Sequence, residues 1–401
     1  MANKKKDPDD MFIKVDGSKA VGELKKVLEE LISAPAYTNP LEAYKATLAF
    51  IDAPKEEIPV TKEQWAQLYE VTNNIRLLEP WKYLHESERI AILLPGRDEP
   101  VYIVVMGIGG MTYGIGIYPG YDSLGRLGRM IENELGENNM DVAFEQHCIN
   151  LYFGDRAELE PRDINVLKSL GLKFRGKNEW PYFRSMKPGF MPWHMNRDEA
   201  ALAIASLQNF VMAFTGYLKL GQKVDFENGE TYFRFYVPES DMWYNAAVKM
   251  PPTPFIQPKL AITDDVLTAK LKKKKKSKAK LGFALGYLPM PIQEEKNKRP
   301  KMPRIAFLID IGTGMPVDQV SDMGSEFIGK PLLDMLARYV AEYGRPASIS
   351  VKDEDTGCYI ADFAEKLDIE LIEDGRMAAA NHLMAEMMKF MSPGLMDNFP
   401  E

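Results

Sequence analysis

The sequence predicts an α+β N-terminal domain followed by a small α/β C-terminal domain with a mostly parallel sheet. Three observations carry that expectation. Between about residues 61 and 262, strand-like runs precede one long apolar helix, the segregated order of α+β folds. From 301 to 392 strand and helix patterns alternate, which favours parallel strands joined by right-handed crossovers. Residues 263–300 are rich in proline and lysine and read as a connector. Residues 1–60 then form a helical N-terminal extension to a chain of 401 residues.

The first segment begins polar. Val21, Leu24, Leu28 and Leu31 then recur at helical spacing, and Leu41, Tyr44, Leu48 and Ile51 form a second stripe behind Asn39 and Pro40. Thr61 and Gln64 make a capping box for a helix with Trp65, Leu68, Tyr69 and Ile75 on one face. Strands are expected over 90–94, 101–106 and 113–118, the last two joined by the Gly107–Gly110 turn. Ser123 caps a helix that stops at Gly136, 144–153 reads as a strand, and a short helix runs from Pro161 to Leu170 before Gly171. Asn196 and Glu199 open a helix over 197–220, and 232–237 and 243–249 read as strands. In the last segment strands are expected over 304–310, 315–320, 347–352 and 369–372. Helices are expected over 323–343, 356–367 and 374–391, the last rich in methionine.

Composition excludes several classes. Hydrophobic residues make up 45%, which is ample for packed cores. The formal net charge of -8 does not advertise nucleic acid or an anionic membrane as partner. Two cysteines, Cys148 and Cys358, are too few for a disulfide framework or a structural zinc, and four histidines show no metal-ligand spacing. No metal is expected, and no cofactor can be named. The start MANKKKDPDD has no apolar stretch behind its charges, so a cytoplasmic location is expected. Residues 200–220 are long enough to span a bilayer, but Ser206, Gln208, Asn209, Thr215 and Gly216 interrupt them, and a core helix without membrane contact is the better expectation.

The densest functional signal lies between Leu170 and Met195. Cations (Lys173, Arg175, Lys177, Arg184, Lys187) alternate with aromatics (Phe174, Trp180, Tyr182, Phe183, Phe190, Trp193), and Pro181, Pro188 and Pro192 forbid a helix. Guanidinium groups pair with anions and aromatic faces stack on rings. Lys173, Arg175, Lys177, Asn178, Trp180 and Arg184 are therefore the candidate ligand-binding residues, against the alternative of a structural loop with solvated cations. The partner expected there is a protein or a small anionic ligand. The run LGLKFRGKNEWPYFRS with KPGF and PW, together with Trp65–Tyr69, Tyr102–Gly107, Tyr118–Gly120, Arg345-Pro346 and Ile349, resembles an uncharacterised bacterial family of paired domains of unknown function. The likeness covers about 61–390 and implies no activity, substrate or cofactor.

Two further features carry alternatives. Lys272, Lys273, Lys274, Lys275 and Lys276 form a block that could neutralise nucleic-acid phosphates, although such blocks are commonly solvated connectors. The stretches GRPASISVKDEDTG and FAEKLDIELI resemble the core of ribonuclease-H-like folds. That resemblance implies a two-metal phosphodiester site on Asp310, Asp353 and Glu386, with the two aspartates on adjacent strand ends. Cys148 and His147 are neighbours, so in a strand they would point to opposite faces and not pair. The sequence shows no nucleophile–base pair, and a non-catalytic binding or interaction protein using the Lys173–Trp193 loop is the leading expectation.

Overall fold

The computed structural model describes residues 58–374, without 134–138, 222, 250–259, 289–290, 294, 296–297 and 323–328. The helices expected before residue 58, most of the methionine-rich helix over 374–391, and Glu386 lie outside the described residues.

Two α+β regions follow one another. The first holds helix α1 (Lys62–Leu78), strands β1 (Ile90–Leu93), β2 (Val101–Met106) and β3 (Tyr113–Pro119), helices α2 (Gly120–Asn133) and α3 (Asn139–Phe144), strand β4 (Cys148–Gly154), helix α4 (Pro161–Ser169), strand β5 (Trp180–Met186), helix α5 (Arg197–Leu220) and strands β6 (Glu230–Val237) and β7 (Met242–Lys249). The strands form one sheet in the order β5-β4-β3-β2-β1-β6-β7. Every pairing is antiparallel except β1 with β6.

Both capping boxes expected from the sequence form. Thr61 Oγ1 accepts the Gln64 N–H at 3.2 Å while Gln64 Oε1 accepts that of Thr61 at 3.1 Å. Asn196 and Glu199 repeat the arrangement at 2.9 Å each way. One face of the sheet (Ile92, Ile103, Ile117, Leu151) packs on α1 and α5; the other (Tyr102, Val104, Tyr118, Phe233) packs on Leu124 and Leu127 of α2. Helix α5 passes the length and hydropathy test for a membrane span. In this fold it buries Ala203, Leu207, Phe210 and Phe214 against the sheet, and its interrupting Asn209 accepts from Arg234 Nε at 2.9 Å.

Three local expectations change. Ser123, expected as a cap, lies inside α2, which begins at Gly120, and its Oγ donates to Pro119 O at 2.8 Å. Residues 139–144 are helical, so the fourth strand begins at Cys148, not at Phe144. Residues 180–186, expected as loop, form β5 at the sheet edge, where Pro181 is tolerated although it has no N–H to donate.

The second region holds α6 (Asp265–Lys272), β8 (Lys280–Tyr287), β9 (Arg304–Asp310), β10 (Pro316–Asp322), α7 (Gly329–Tyr343), β11 (Ser348–Val351), α8 (Glu354–Cys358), α9 (Ala361–Lys366) and β12 (Glu370–Glu373). Its sheet order is β10-β9-β8-β11-β12. The expectation of a mostly parallel sheet is corrected. β8–β11 and β11–β12 are parallel, but β8–β9 and β9–β10 are antiparallel, so the sheet is mixed. The cause is β8, which lies inside the segment read as a connector and is the middle strand. Its run LGFALGY is buried except at the half-buried Ala284 and Leu285, yet the lysines before it masked that signal.

Those lysines have structural work. Lys274 Nζ donates to Ala341 O at 2.6 Å, and Lys276 Nζ to Asp368 O at 2.9 Å, each at the end of a helix where carbonyls lack partners. Arg345 Nε donates to Lys274 O at 3.1 Å. Gly344, at φ +88°, lets this loop close, because a Cβ there would stand 2.5 Å from Lys275 O.

The regions meet along a polar seam. Met191 N donates to Pro300 O at 3.0 Å and Met302 N to Gly189 O at 2.8 Å. Arg299 Nη2 donates to Ser185 Oγ at 2.9 Å. Arg304 reaches Glu145 Oε1 at 2.8 Å, Tyr287 Oη at 2.6 Å and Tyr359 Oη at 3.1 Å, while lying over the Tyr287 ring.

Candidate functional site

Helix α4 ends in a reversal in which Leu172 N donates to Leu167 O at 3.0 Å and Gly171 N to Lys168 O at 3.1 Å. This six-to-one closure around a left-handed glycine turns the chain sharply back towards α1. Phe174 then packs inward, 6.3 Å from the Tyr69 ring and 6.2 Å from Trp180. Its neighbours Lys173 and Arg175 stay exposed. Between this loop and α1 lies a cavity of about 330 Å³. Tyr69, Asn73 and Arg76 line it from the helix; Lys173, Phe174 and Arg175 face them, with Leu172 and Glu179 at the margin. Arg76 Nη1 meets Glu179 Oε2 at 2.8 Å and closes one side.

The six candidate residues separate into three groups. Lys173 and Arg175 line the cavity. Lys177 is exposed next to it. Asn178 and Trp180 hold the loop in shape: the Asn178 N–H donates to Asp155 Oδ1 at 2.9 Å, and Trp180 sits under Arg156 and against Phe174. Arg184 does not belong to the cavity. It is buried, donates to Asp163 Oδ1 and Oδ2 at 3.1 and 2.8 Å, and lies over the Tyr182 ring at 4.9 Å. A bidentate carboxylate partner leaves its fork no capacity for a ligand. His194 completes that network through Glu160 Oε2 at 2.9 Å. Burial lowers its pKa against the pull of Glu160.

The helix side of the cavity could have been found from spacing. Tyr69, Asn73 and Arg76 stand at i, i+4 and i+7, one face of α1, and two polar residues continuing an apolar stripe signal something other than core. Gly189, Phe190 and Met191 serve the seam, while Lys187 pairs within the first region. Phe190 bridges Lys301, and Lys187 Nζ is 3.3 Å from Glu199 Oε1.

Other candidates lose their chemistry on geometry. Asp310 pairs with Leu281 of β8, which is level with Ile349 of β11, so Asp310 and Asp353 lie at opposite ends of the sheet with β8 between them. Four residues at about 3.3 Å and two strand spacings at about 4.8 Å separate them far beyond about 10 Å. They do not stand on adjacent strand ends, as the metal trio requires, and its third member, Glu386, lies outside the described residues. Each aspartate instead binds its own turn, Asp310 to Thr313 and Asp353 to Thr356. Among the described residues no group of three or more metal-ligating side chains occurs. Cys148 is buried beside Asn150, and burial pushes its thiol up to about 12. Ser123 Oγ lies 3.0 Å from His147 Nδ1, but its proton is engaged by Pro119 O at 2.8 Å and the residue is fully buried, so this is no nucleophile–base pair.

Burial, with Arg126 and Lys187 nearby, lowers the His147 pKa to about 4, while Asp122 and Glu199 oppose the shift. A folded value below the unfolded 6.5 means that the unfolded chain takes up the proton first. Stability is then full above pH 6.5 and falls as pH drops towards 4. The loss is at most about 3 kcal/mol, since solvent still reaches part of the residue. Urea midpoints between pH 7 and 4 should show a steeper fall for wild type than for His147→Gln; parallel curves would refute this.

Comparison with known proteins adds domain names only. No curated protein matches this chain. Residues 65–234 match the domain of unknown function DUF7309, and residues 267–388, which include α6 and β8, match the domain of unknown function DUF6930.

Proposed function

We propose that the protein is a non-catalytic binding protein, and that its ligand is a small anion bearing a flat ring, held in the cavity between α1 and the loop after α4. The observation that carries this reading is the pairing, across one 330 Å³ cavity, of two exposed cations, Lys173 and Arg175, with the aromatic wall of Phe174 and Tyr69. Neither cation has a carboxylate partner among the described residues, so their charge is available to an incoming anion. Asn73 supplies a polar group for orientation, as such pockets require.

Isothermal titration with adenosine monophosphate, adenosine and phosphate tests it. The nucleotide should bind more tightly than either part. Lys173→Ala/Arg175→Ala should weaken it at least tenfold, about 1.4 kcal/mol, without a change in fold. Equal affinity of the variant, or no binding by mononucleotides, aryl phosphates and aromatic carboxylates, would sink the reading.

For the C-terminal region we read a ribonuclease-H-like arrangement without its metal chemistry. The order with the first strand central, the second alone reversed and the fourth and fifth parallel to the first supports the likeness. Its central strand, LGFALGY after Lys280, carries no carboxylate. The nucleic-acid alternative is weakened because Lys274 and Lys276 are tied to helix-end carbonyls, which leaves Lys272, Lys273 and Lys275 of the block.

A further inference from the structure

On the sheet face away from α1 and α5, the residue before β1 is Arg89. The register places it beside Val104 of β2 and Gly116 of β3. Gly116 has no side chain to fill the surface, and the Tyr118 ring leans into that space, 2.7 Å from where a Cβ would stand. Ala91, the next residue of β1 on this face, lies opposite Tyr102, and Tyr102 opposite Tyr118. The guanidinium therefore lies on a sheet surface bordered by two tyrosines, with Tyr121 of α2 6.3 Å from the Tyr102 ring.

The polar groups gathered there lack partners. The buried Nε of Arg89 has no hydrogen bond, and neither has the hydroxyl of Tyr102, a residue only 1% exposed, nor that of Tyr121. No carboxylate forms an ion pair with Arg89 among the described residues, and the titratable groups that act on it are the neutral phenols of Tyr118 and Tyr102; the Glu99 carboxylate, which accepts the Tyr121 N–H at 2.9 Å, acts on Tyr102 and Tyr121. Burial depresses its pKa, the mark of a cation that has lost water without gaining an anion. Arg184 and Arg304, by contrast, each donate to a carboxylate at 2.8 Å. Arg89 is half-buried with no ion-pair partner and with its Nε closed off from water, so an incoming anion would supply the charge it lacks.

We propose that Arg89, with the hydroxyl of Tyr102, forms a second anion site, distinct from the cavity beside Arg175, that takes a phosphate-type oxyanion. The guanidinium fork matches two oxygens of such a group, and a phenolic O–H donates to a third. Seating the anion requires a small outward turn of the Tyr102 and Tyr121 rings, because their hydroxyls are closed to solvent.

The test is thermal unfolding of the full chain in phosphate against chloride at matched ionic strength. Wild type should gain several degrees from phosphate. Arg89→Leu should be at least as stable as wild type in chloride, since it removes a charge without an ion-pair partner, and should lose most of the gain from phosphate. Tyr102→Phe, which keeps the ring and its packing, should need a several-fold higher phosphate concentration for half of the gain. Lys173→Ala/Arg175→Ala should respond as wild type does, which separates this site from the first. A wild type indifferent to phosphate, an Arg89→Leu protein with an undiminished gain, or loss of the gain only in the Lys173→Ala/Arg175→Ala protein would overturn the proposal.

Discussion

Arg304→Met should destabilise the protein by about 3 kcal/mol, because it removes one partner of a largely buried carboxylate. Glu145 is held by Arg304 on one oxygen and by Arg129 on the other, each at 2.8 Å. Burial alone would raise the pKa of Glu145, but Arg304, Arg129 and Arg126 outweigh it and hold the carboxyl below its usual value. The same substitution strands the hydroxyls of Tyr287 and Tyr359. Since a depressed carboxylate pKa contributes stability above its unfolded value and loses it as pH falls, the cost should be largest near neutrality and shrink below about pH 4. Guanidinium denaturation at pH 7 and pH 3 measures both. Because Glu145 follows α3 and Arg304 opens β9, a biphasic transition in the variant would show that the seam couples the two regions; an unchanged midpoint would show that it does not.

Arg184→Ala should cost about 3–5 kcal/mol, whereas Arg175→Ala, nine residues earlier in the same basic and aromatic stretch, should cost within about 0.5 kcal/mol. Both were candidates for the same ligand surface. Removal of Arg184 leaves Asp163, itself 6% exposed, without its bidentate partner, and leaves Glu160 and His194 to share what remains. Chemical denaturation of the two variants side by side decides it. If both midpoints stay at the wild-type value, the Arg184–Asp163 pair is not structural and the cavity assignment must be widened to include it. Replacing both partners by apolar residues should recover much of the loss, since the penalty comes from the stranded charge.

The extent to which the fold was legible followed local chemistry. Capping boxes at Thr61 and Asn196 announced α1 and α5 because side-chain and backbone partners lie three residues apart in sequence. β8 was hidden because what makes LGFALGY a strand is pairing with β9 and β11, while what precedes it in sequence is lysine. β5 was hidden by Pro181, whose meaning depends on whether a strand is at an edge, a fact of topology alone. The site was half visible for the same reason. Lys173 and Arg175 stood out by composition, but nothing local separates Arg175 from Arg184. The difference is Asp163, 21 residues away from Arg184. Arg89 gave no signal at all, since an arginine before a strand is ordinary until its surroundings are known.

The parallel contact of β1 with β6 joins Ile90 to Tyr232, about 140 residues later. Strands β1 to β5 can pair in succession as they emerge, each with a neighbour already made, whereas β1 keeps an open hydrogen-bonding edge until β6 and β7 arrive as a hairpin. Closing so long a loop costs entropy before any contact rewards it. During synthesis at roughly 5–20 residues per second, that edge would stay unpaired for about ten seconds or more. The interval is one in which two nascent copies could pair through it, so the exposed strand, not the finished surface, is where this protein is most open to misassembly.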